Sequence, residues 1–466
     1  MRETFRTKHD IILEKNIEMN FGTDKQTKQD LNLFSKLKGD LSIFDYYNLT
    51  KTKGGYLELE KLMESPSCDL NEINQRIETI RFISDHQVKF DFDKDALDFI
   101  EHYLNQNTDI LRSNLIDSSL SWLKNKIKPS NEYYIITRGL EYLKGYIQEL
   151  SVLVNGLNHA AVPVLFTNLV QAVGEFGALP RIKKILNPKH ENFTSLELSR
   201  LDNLIRSNEK GRVMELLRLT YQLDAYMSLT ETAKDKNLAF PEFSESDTPC
   251  LNIKGFYHPF LEAPVANDIE TDSHQNLCFV SGANMAGKST FLKSIGLCLY
   301  LAHVGFPVPA KSMSCSVFMG LYSTINISDD IEKGHSHYYS EVKRVKEIAL
   351  QIRDKKKVFV IFDELFRGTN VKDAYDATLL VTSGFVKIKS SLFFISTHIV
   401  EVGHELEKLE GTCFKCFSSR LDEGKPKYDY KLEEGISSER LGLTIVENEG
   451  IMAIIEEVVA DSAINV

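Results

Sequence analysis

The chain has 466 residues, 42% of them hydrophobic and 26% charged, with a formal net charge of -11; this describes a globular protein with room for about two to four domains. The acidic balance excludes a wholesale basic nucleic-acid binder but leaves room for a local basic groove. Met1 to Asp10 lacks the apolar centre of a signal peptide and no long run is free of polar groups, so a cytoplasmic location and no membrane partner are expected, and seven cysteines without framework spacing fit reduced thiols.

Residues 1–40 form a polar segment with scattered apolar positions. Leu41 to Phe44 then leads to Thr50-Lys-Thr-Lys-Gly-Gly-Tyr56, which reads as a turn, and to a helix carrying Leu57, Leu59 and Leu62 that stops before Pro66. Asp69 is placed to cap a further helix whose apolar stripe is Leu70, Ile73, Ile77, Ile80 and Ile83. From Asp93 to Lys236 the period remains helical, in long segments at 132–157 and 211–236, and 160–179 reads as a buried helix or helix pair. The basic clusters Lys124 to Lys128 and Arg181 to Lys184 have no interleaved aromatics and read as solvated helix ends or loops.

Phe240 to Pro249 reads as a linker, after which short apolar runs at 277–280, 317–321, 358–362 and 392–395 alternate with helical segments. The expected fold is therefore α plus α/β: a helical domain over 41–245, then a domain over 246–466 with a helix-flanked, mainly parallel sheet. Cys413, Phe414, Lys415, Cys416 and Phe417 are assigned to a strand rather than to a metal or redox pair.

The chemistry is concentrated in the second domain. Cys278 to Ser281 is an apolar strand end, and Gly282 to Ser289 fits G-x-x-x-x-G-K-[ST], the P-loop. Taken alone, the same pattern also fits a Gly-rich strand-to-helix turn. As a phosphate cradle, the main chain of Gly282, Ala283, Asn284, Met285, Ala286, Gly287 and Thr290 surrounds a triphosphate, Lys288 reaches its terminal phosphates and Ser289 ligates magnesium. ATP and Mg2+ are the expected cofactors.

A second buried strand, Lys357 to Phe362, ends in Asp363 and Glu364, suited to hold the metal through water and to polarise an attacking water, respectively. A third, Leu392 to Ser396, ends in Thr397-His398, where a histidine can sense the terminal phosphate. Between the first two lies Ser328 to Glu341, in which Gly334 and Ser336 form a second potential anion site. One nucleotide does not need two such sites from one chain. A homodimer in which Ser336 closes over the partner's ATP accounts for both.

Six ordered motifs resemble those of the MutS family of DNA mismatch-repair ATPases. Ser281 to Thr290 is similar to TGPNMGGKST, Gly305 to Ala310 to the segment ending in VPA, Ser328 to Glu341 to SDD…GxSxF..E, and Asp363 to Thr369 to DEIGRGT. Thr397-His398 falls at the family's TH pair and His258-Pro259 at its RHP, which adds His258 to the nucleotide-binding set by resemblance. Thr50 to Arg76 and Leu223 to Pro241 resemble the start and end of the family's helical lever. Departures are Ala283 for Pro, Ala286 for Gly, His335 for Arg, Tyr338 for Phe and Phe366 for Gly.

The resemblance implies ATP hydrolysis with Lys288, Glu364 and His398 as the catalytic set, Ser289 and Asp363 on the metal, and dimer closure coupled through the lever to DNA. A short form is expected, because the lever motif begins near residue 41, leaving no space ahead of it for mismatch-recognition and connector domains. The rival expectation is a nucleotide-switched scaffold that binds a protein partner and no DNA.

Overall fold

The computed structural model describes residues 21–35, 40–106, 110, 130–157, 162–187, 193–244, 246, 248–325, 337–422, 425–437 and 450–464. The Lys124 to Lys128 cluster and residues 328–336, with Ser336, lie outside the described residues.

In chain order the first helices are α1 (Lys25–Asp30), α2 (Ile43–Tyr47), α3 (Lys53–Met63), α4 (Leu70–Asp85), α5 (Lys94–Leu104), α6 (Asn131–Asn155), α7 (Val164–Gly177), α8 (Pro180–Ile185) and α9 (Ser195–Asn203). One π-helical stretch, Leu204–Glu209, joins α9 to α10 (Lys210–Lys236). Strands β1 (Pro241–Ser244), β2 (Leu251–Phe256), β3 (Asn267–Thr271) and β4 (Leu277–Gly282) precede α11 (Lys288–Val304). Then come β5 (Ser312–Ser316), β6 (Gly320–Thr324), α12 (His337–Lys355), β7 (Val358–Asp363), α13 (Val371–Phe385), β8 (Leu392–Ser396) and α14 (Val400–Leu406). The chain closes with β9 (Thr412–Asp422), β10 (Lys425–Glu434) and α15 (Ile451–Ile464).

Two compact units result: one of residues 47–64 and 75–232, the other of 1–46, 65–74 and 233–466. In the first, helix starts follow capping chemistry. Thr52 caps α3, Asp93 caps α5, Ser130 caps α6, and Thr194 with Glu197 forms a capping box on α9. The Thr50 to Tyr56 stretch is not a free turn, because α3 already starts at Lys53.

Its two glycines face α10 at close range: a Cβ on Gly54 would meet Tyr221 at 2.2 Å, and one on Gly55 would meet Asp224 at 2.1 Å. Buried Asp224 accepts from the N–H groups of Lys51 (3.1 Å) and Thr52 (2.8 Å) and from the Thr52 hydroxyl (2.7 Å). A second buried carboxylate, Asp202, takes both arms of Arg206 at 2.7 Å and the Tyr103 hydroxyl at 2.9 Å. The Arg181 to Lys184 cluster forms α8, with its basic side chains exposed and Ile182 and Ile185 buried.

In the second unit a six-stranded sheet has the order β10-β9-β4-β8-β7-β6, parallel except for the antiparallel β10–β9 pair. Residues alternate between its faces. Phe279, Val360, Phe362, Phe393 and Ile395 pack with Ile348 and Ile352 of α12, Phe385 of α13 and Val402 of α14. On the other face α11 is buried nearly all round; a Cβ on Gly296 would lie 2.8 Å from Ile361 Cδ1. Burial on both faces explains why these strands read as continuous apolar runs.

A four-stranded sheet, β1-β5-β2-β3, packs beside α11. Two expectations change here. The supposed linker contains β1, paired in parallel with β5, and the 317–321 run is strand only from Gly320, where β6 begins, with buried Phe318 in the junction after β5. Cys413 and Cys416 lie in β9, as expected from the alternation.

Candidate functional site

The loop from β4 to α11 is shaped by two glycines. Gly282 has φ of 143°, and a Cβ there would approach the Phe417 carbonyl oxygen to 2.9 Å; only glycine fits both demands. Gly287, with φ of 106°, is the N-cap of α11, and no side chain caps the helix. The first-turn N–H groups and the positive end of the helix therefore converge on the loop. The Lys288 ammonium donates to the carbonyls of Gly282 (2.8 Å) and Ala283 (3.1 Å). Burial pushes its pKa down, while the carboxylates of Glu364 and Asp363 push it back up.

Those carboxylates stand at the C-terminal end of β7. In register, Asp363 is opposite Ser396 of β8, whose hydroxyl donates to Asp363 Oδ1. Ser289 also hydrogen-bonds the Asp363 carboxyl. Burial pushes the Asp363 pKa up and Glu364 adds to this, against the hydrogen bonds from Ser289 and Ser396 and the charge of Lys288.

Glu364 has φ of 55°; its N–H donates to Ser396 O at 3.1 Å, and its Oε2 pairs with Arg367 at 3.0 Å. Ser289, Asp363 and Glu364 share a cavity of about 130 Å³ with Thr324, Ile325 and Glu341. Glu341 accepts from the Gly368 N–H at 3.4 Å, and burial raises its pKa.

A second cavity, about 340 Å³, opens beside the helix start and is lined by Gly287, Thr290, Phe291, His258, Val265 and Tyr430 among others. Burial, and secondarily Lys293, lowers the His258 pKa to about 4, so its ring is neutral at neutral pH. Asn267 is engaged structurally: it donates to the Tyr430 carbonyl at 3.0 Å and accepts from the Leu432 N–H at 2.8 Å.

The sequence profile of MutS domain V matches residues 278–464. The chain is similar to MutS protein homolog 4 of Mus musculus, 30% identical over 229 residues, which is 47% of this chain and 23% of the relative. It is similar to the DNA mismatch repair protein MutS of Ehrlichia chaffeensis, 32% identical over 236 residues, 49% of this chain and 28% of the relative. That of Anaplasma phagocytophilum is 31% identical over 231 residues, 48% and 27% respectively. The chain is similar to the MutS family over residues 278–464. It spans about a quarter of the length of these curated relatives.

Within the MutS domain V, Lys288, Ser289, Asp363 and Glu364 come together from two non-adjacent strand ends. His258, Gly287 and Thr290 share the second cavity instead. His398 is exposed and follows buried Thr397; among the described residues no hydrogen bond joins it to the carboxylates. Ser336 lies outside the described residues.

Sequence reasoning missed Ser396, Glu341, Thr324 and Arg367. Ser396 left a trace as the polar end of an apolar strand, and Glu341 and Arg367 fall within quoted motifs that gave them no role; Thr324 left none. One carboxylate and one hydroxyl at a cavity edge suit a divalent cation that keeps most of its waters. Among the described residues no group of three His, Cys, Asp or Glu could form a full protein cage. No helix among them is long and apolar enough to cross a membrane.

Proposed function

We propose that the chain binds and hydrolyses ATP at the P-loop from Gly282 to Thr290. The observation that carries this reading is the meeting of Ser289 with Asp363 and Glu364 around one cavity at the C-terminal edge of a parallel sheet, where open α/β sheets place their ligands, with the charge of Lys288 acting on both carboxylates. The phosphates lie against the first-turn N–H groups of α11, and Lys288 exchanges its two loop carbonyls for phosphate oxygens. The base enters the second cavity between His258 and Tyr430, on the other side of Gly287.

Asp363 and Ser289 would hold Mg2+, which supplies neutralisation of phosphate charge. Ser396 keeps the Asp363 carboxyl oriented, and Glu364, half-buried and braced by its N–H on Ser396, polarises the attacking water. His398 senses the terminal phosphate, and Ser336 completes the partner's site in a homodimer.

In this reading residues 41–245 are a helical lever, residues 246–466 are the ATPase domain, and closure acts on DNA in mismatch repair or DNA-structure processing. The names of the bacterial relatives support that process. The direct test is Glu364→Gln, expected to retain ATP affinity within about threefold while turnover falls roughly 100-fold or more; hydrolysis at the normal rate would refute the assignment. Titration of duplex, mismatched and branched DNA with and without a non-hydrolysable ATP analogue tests the rest. No binding at low salt would sink the DNA reading in favour of a protein-binding scaffold.

A further inference from the structure

The short segment ahead of α2 is tied to the candidate site by more than packing. Gly22 bridges to the edge of β6: its N–H donates to Met319 O and its carbonyl accepts from the Leu321 N–H, both at 2.8 Å. Those main-chain bonds suffice to protect a sheet edge. The side chains of α1 go further. Thr27 Oγ1 accepts from the Ser323 N–H at 2.9 Å, and Asp30 Oδ2 accepts from the Ser323 hydroxyl at 2.7 Å and the Ile325 N–H at 2.9 Å.

On the other side, Arg344 of α12 reaches Asp24 (2.6 Å), the Ser323 carbonyl (2.7 Å) and the Thr324 hydroxyl (3.3 Å). Asp30 is 4% exposed, and charged groups that deep are costly unless their geometry is used. Every thread leads to one place. Thr324 and Ile325 line the cavity that holds Ser289, Asp363 and Glu364, as does Glu341, three residues before Arg344 on α12. None of these three lines the second cavity.

We infer that α1 is a positioning element for ATP turnover, in which Asp24, Asp30 and Arg344 hold the β6 end and the start of α12 as opposite walls of the hydrolytic cavity. The inference rests on the ATP reading above. Because the network touches the hydrolytic cavity and not the base cavity, its loss acts on kcat rather than on nucleotide affinity. A displacement of about 1 Å at reacting groups can cost up to about 100-fold.

The experiment uses the full chain and compares Arg344→Ala, Asp24→Asn, Asp30→Asn and the gentler Arg344→Lys, with Lys288→Ala as the control for nucleotide binding. The readouts are affinity for a fluorescent ATP analogue, kcat well below each thermal midpoint, and that midpoint. The expected result is a kcat lowered roughly 10- to 100-fold with affinity within about twofold, partial recovery in Arg344→Lys, and non-additive losses when Asp24→Asn is combined with Arg344→Ala.

Lower midpoints with unchanged kcat would overturn the inference and reduce α1 to an edge cover. Affinity falling in step with kcat would overturn it as well. If the wild-type chain binds no ATP analogue, the ATP reading itself fails, and this falls with it. If Arg344→Ala does not fold, Arg344→Lys and Asp24→Asn carry the same decision.

Discussion

His303 offers a sharp test of how this fold is held together. It is 0% exposed near the C-terminal end of α11, ringed by Phe21, Phe243 and Phe318. The Phe318 N–H donates to Nε2 at 3.3 Å, so Nδ1 carries the proton and donates to the Ser67 carbonyl at 2.9 Å. A second proton would set donor against donor at Nε2. Burial accordingly lowers the pKa from 6.5 to about 4.

Because the folded value lies below the unfolded one, the unfolded chain takes up the proton first as pH falls. The stability contribution is therefore full above pH 6.5 and is lost as pH drops towards 4. Over the whole window it amounts to roughly 3 kcal/mol, of which about 2 kcal/mol disappears between pH 7.5 and 5.0. With a urea dependence of about 2 kcal/mol per molar, the midpoint should move by about 1 M.

The assay is urea unfolding by circular dichroism at both pH values, in wild type and His303→Gln. Gln does not titrate, so whatever the substitution costs outright, the variant should show a midpoint shift between the two pH values smaller by about 1 M. His258, whose pKa is also lowered to about 4, is common to both proteins and cancels in the difference. Equal pH dependence in the two proteins would refute the reasoning.

Other substitutions test separate links. Gly282→Ala combines a φ of 143° with a Cβ 2.9 Å from the Phe417 carbonyl oxygen; it should lower stability by about 2 kcal/mol or more and abolish binding of a fluorescent ATP analogue, as read by urea midpoint and titration. Asp224→Ala strands the buried donors of Thr52 and the half-buried N–H of Lys51 and should cost roughly 3 kcal/mol, with loss of hydrogen-exchange protection at those amides, whereas Asp224→Asn keeps an acceptor and should cost less.

Much of this protein could be read from residue order alone, because the relevant physics is local. Helices showed themselves by apolar spacing and by the cap residue Asp69, which accepts from the Asn71 N–H, and the buried strands at 358–362 and 392–395 by runs of Val, Ile and Phe. The glycine pair of the 282–289 loop marked a backbone with positive φ, since no other residue takes that conformation cheaply. The carboxylates at 363 and 364 could be paired with that loop because both end strands of one sheet type.

Other features rest on side chains far apart in sequence. Ser396 matters only because the β7–β8 register sets it beside Asp363, and Gly54 and Gly55 only because α10 passes within touching distance. The run at 317–321 shows a strand's apolar composition, yet β6 begins only at Gly320, and Phe318 ahead of it packs beside His303 instead. Nothing in the polar stretch before residue 40 announced that Asp30 would grip β6, or that Asp24 would pair with Arg344 of α12, about 300 residues away. Local propensity and pattern, set by steric and hydrogen-bonding preferences of neighbouring residues, were enough to locate the elements and the phosphate-type loop. Which polar groups meet when those elements pack, and hence which carboxylate is buried, braced or paired, was decided only by the tertiary structure.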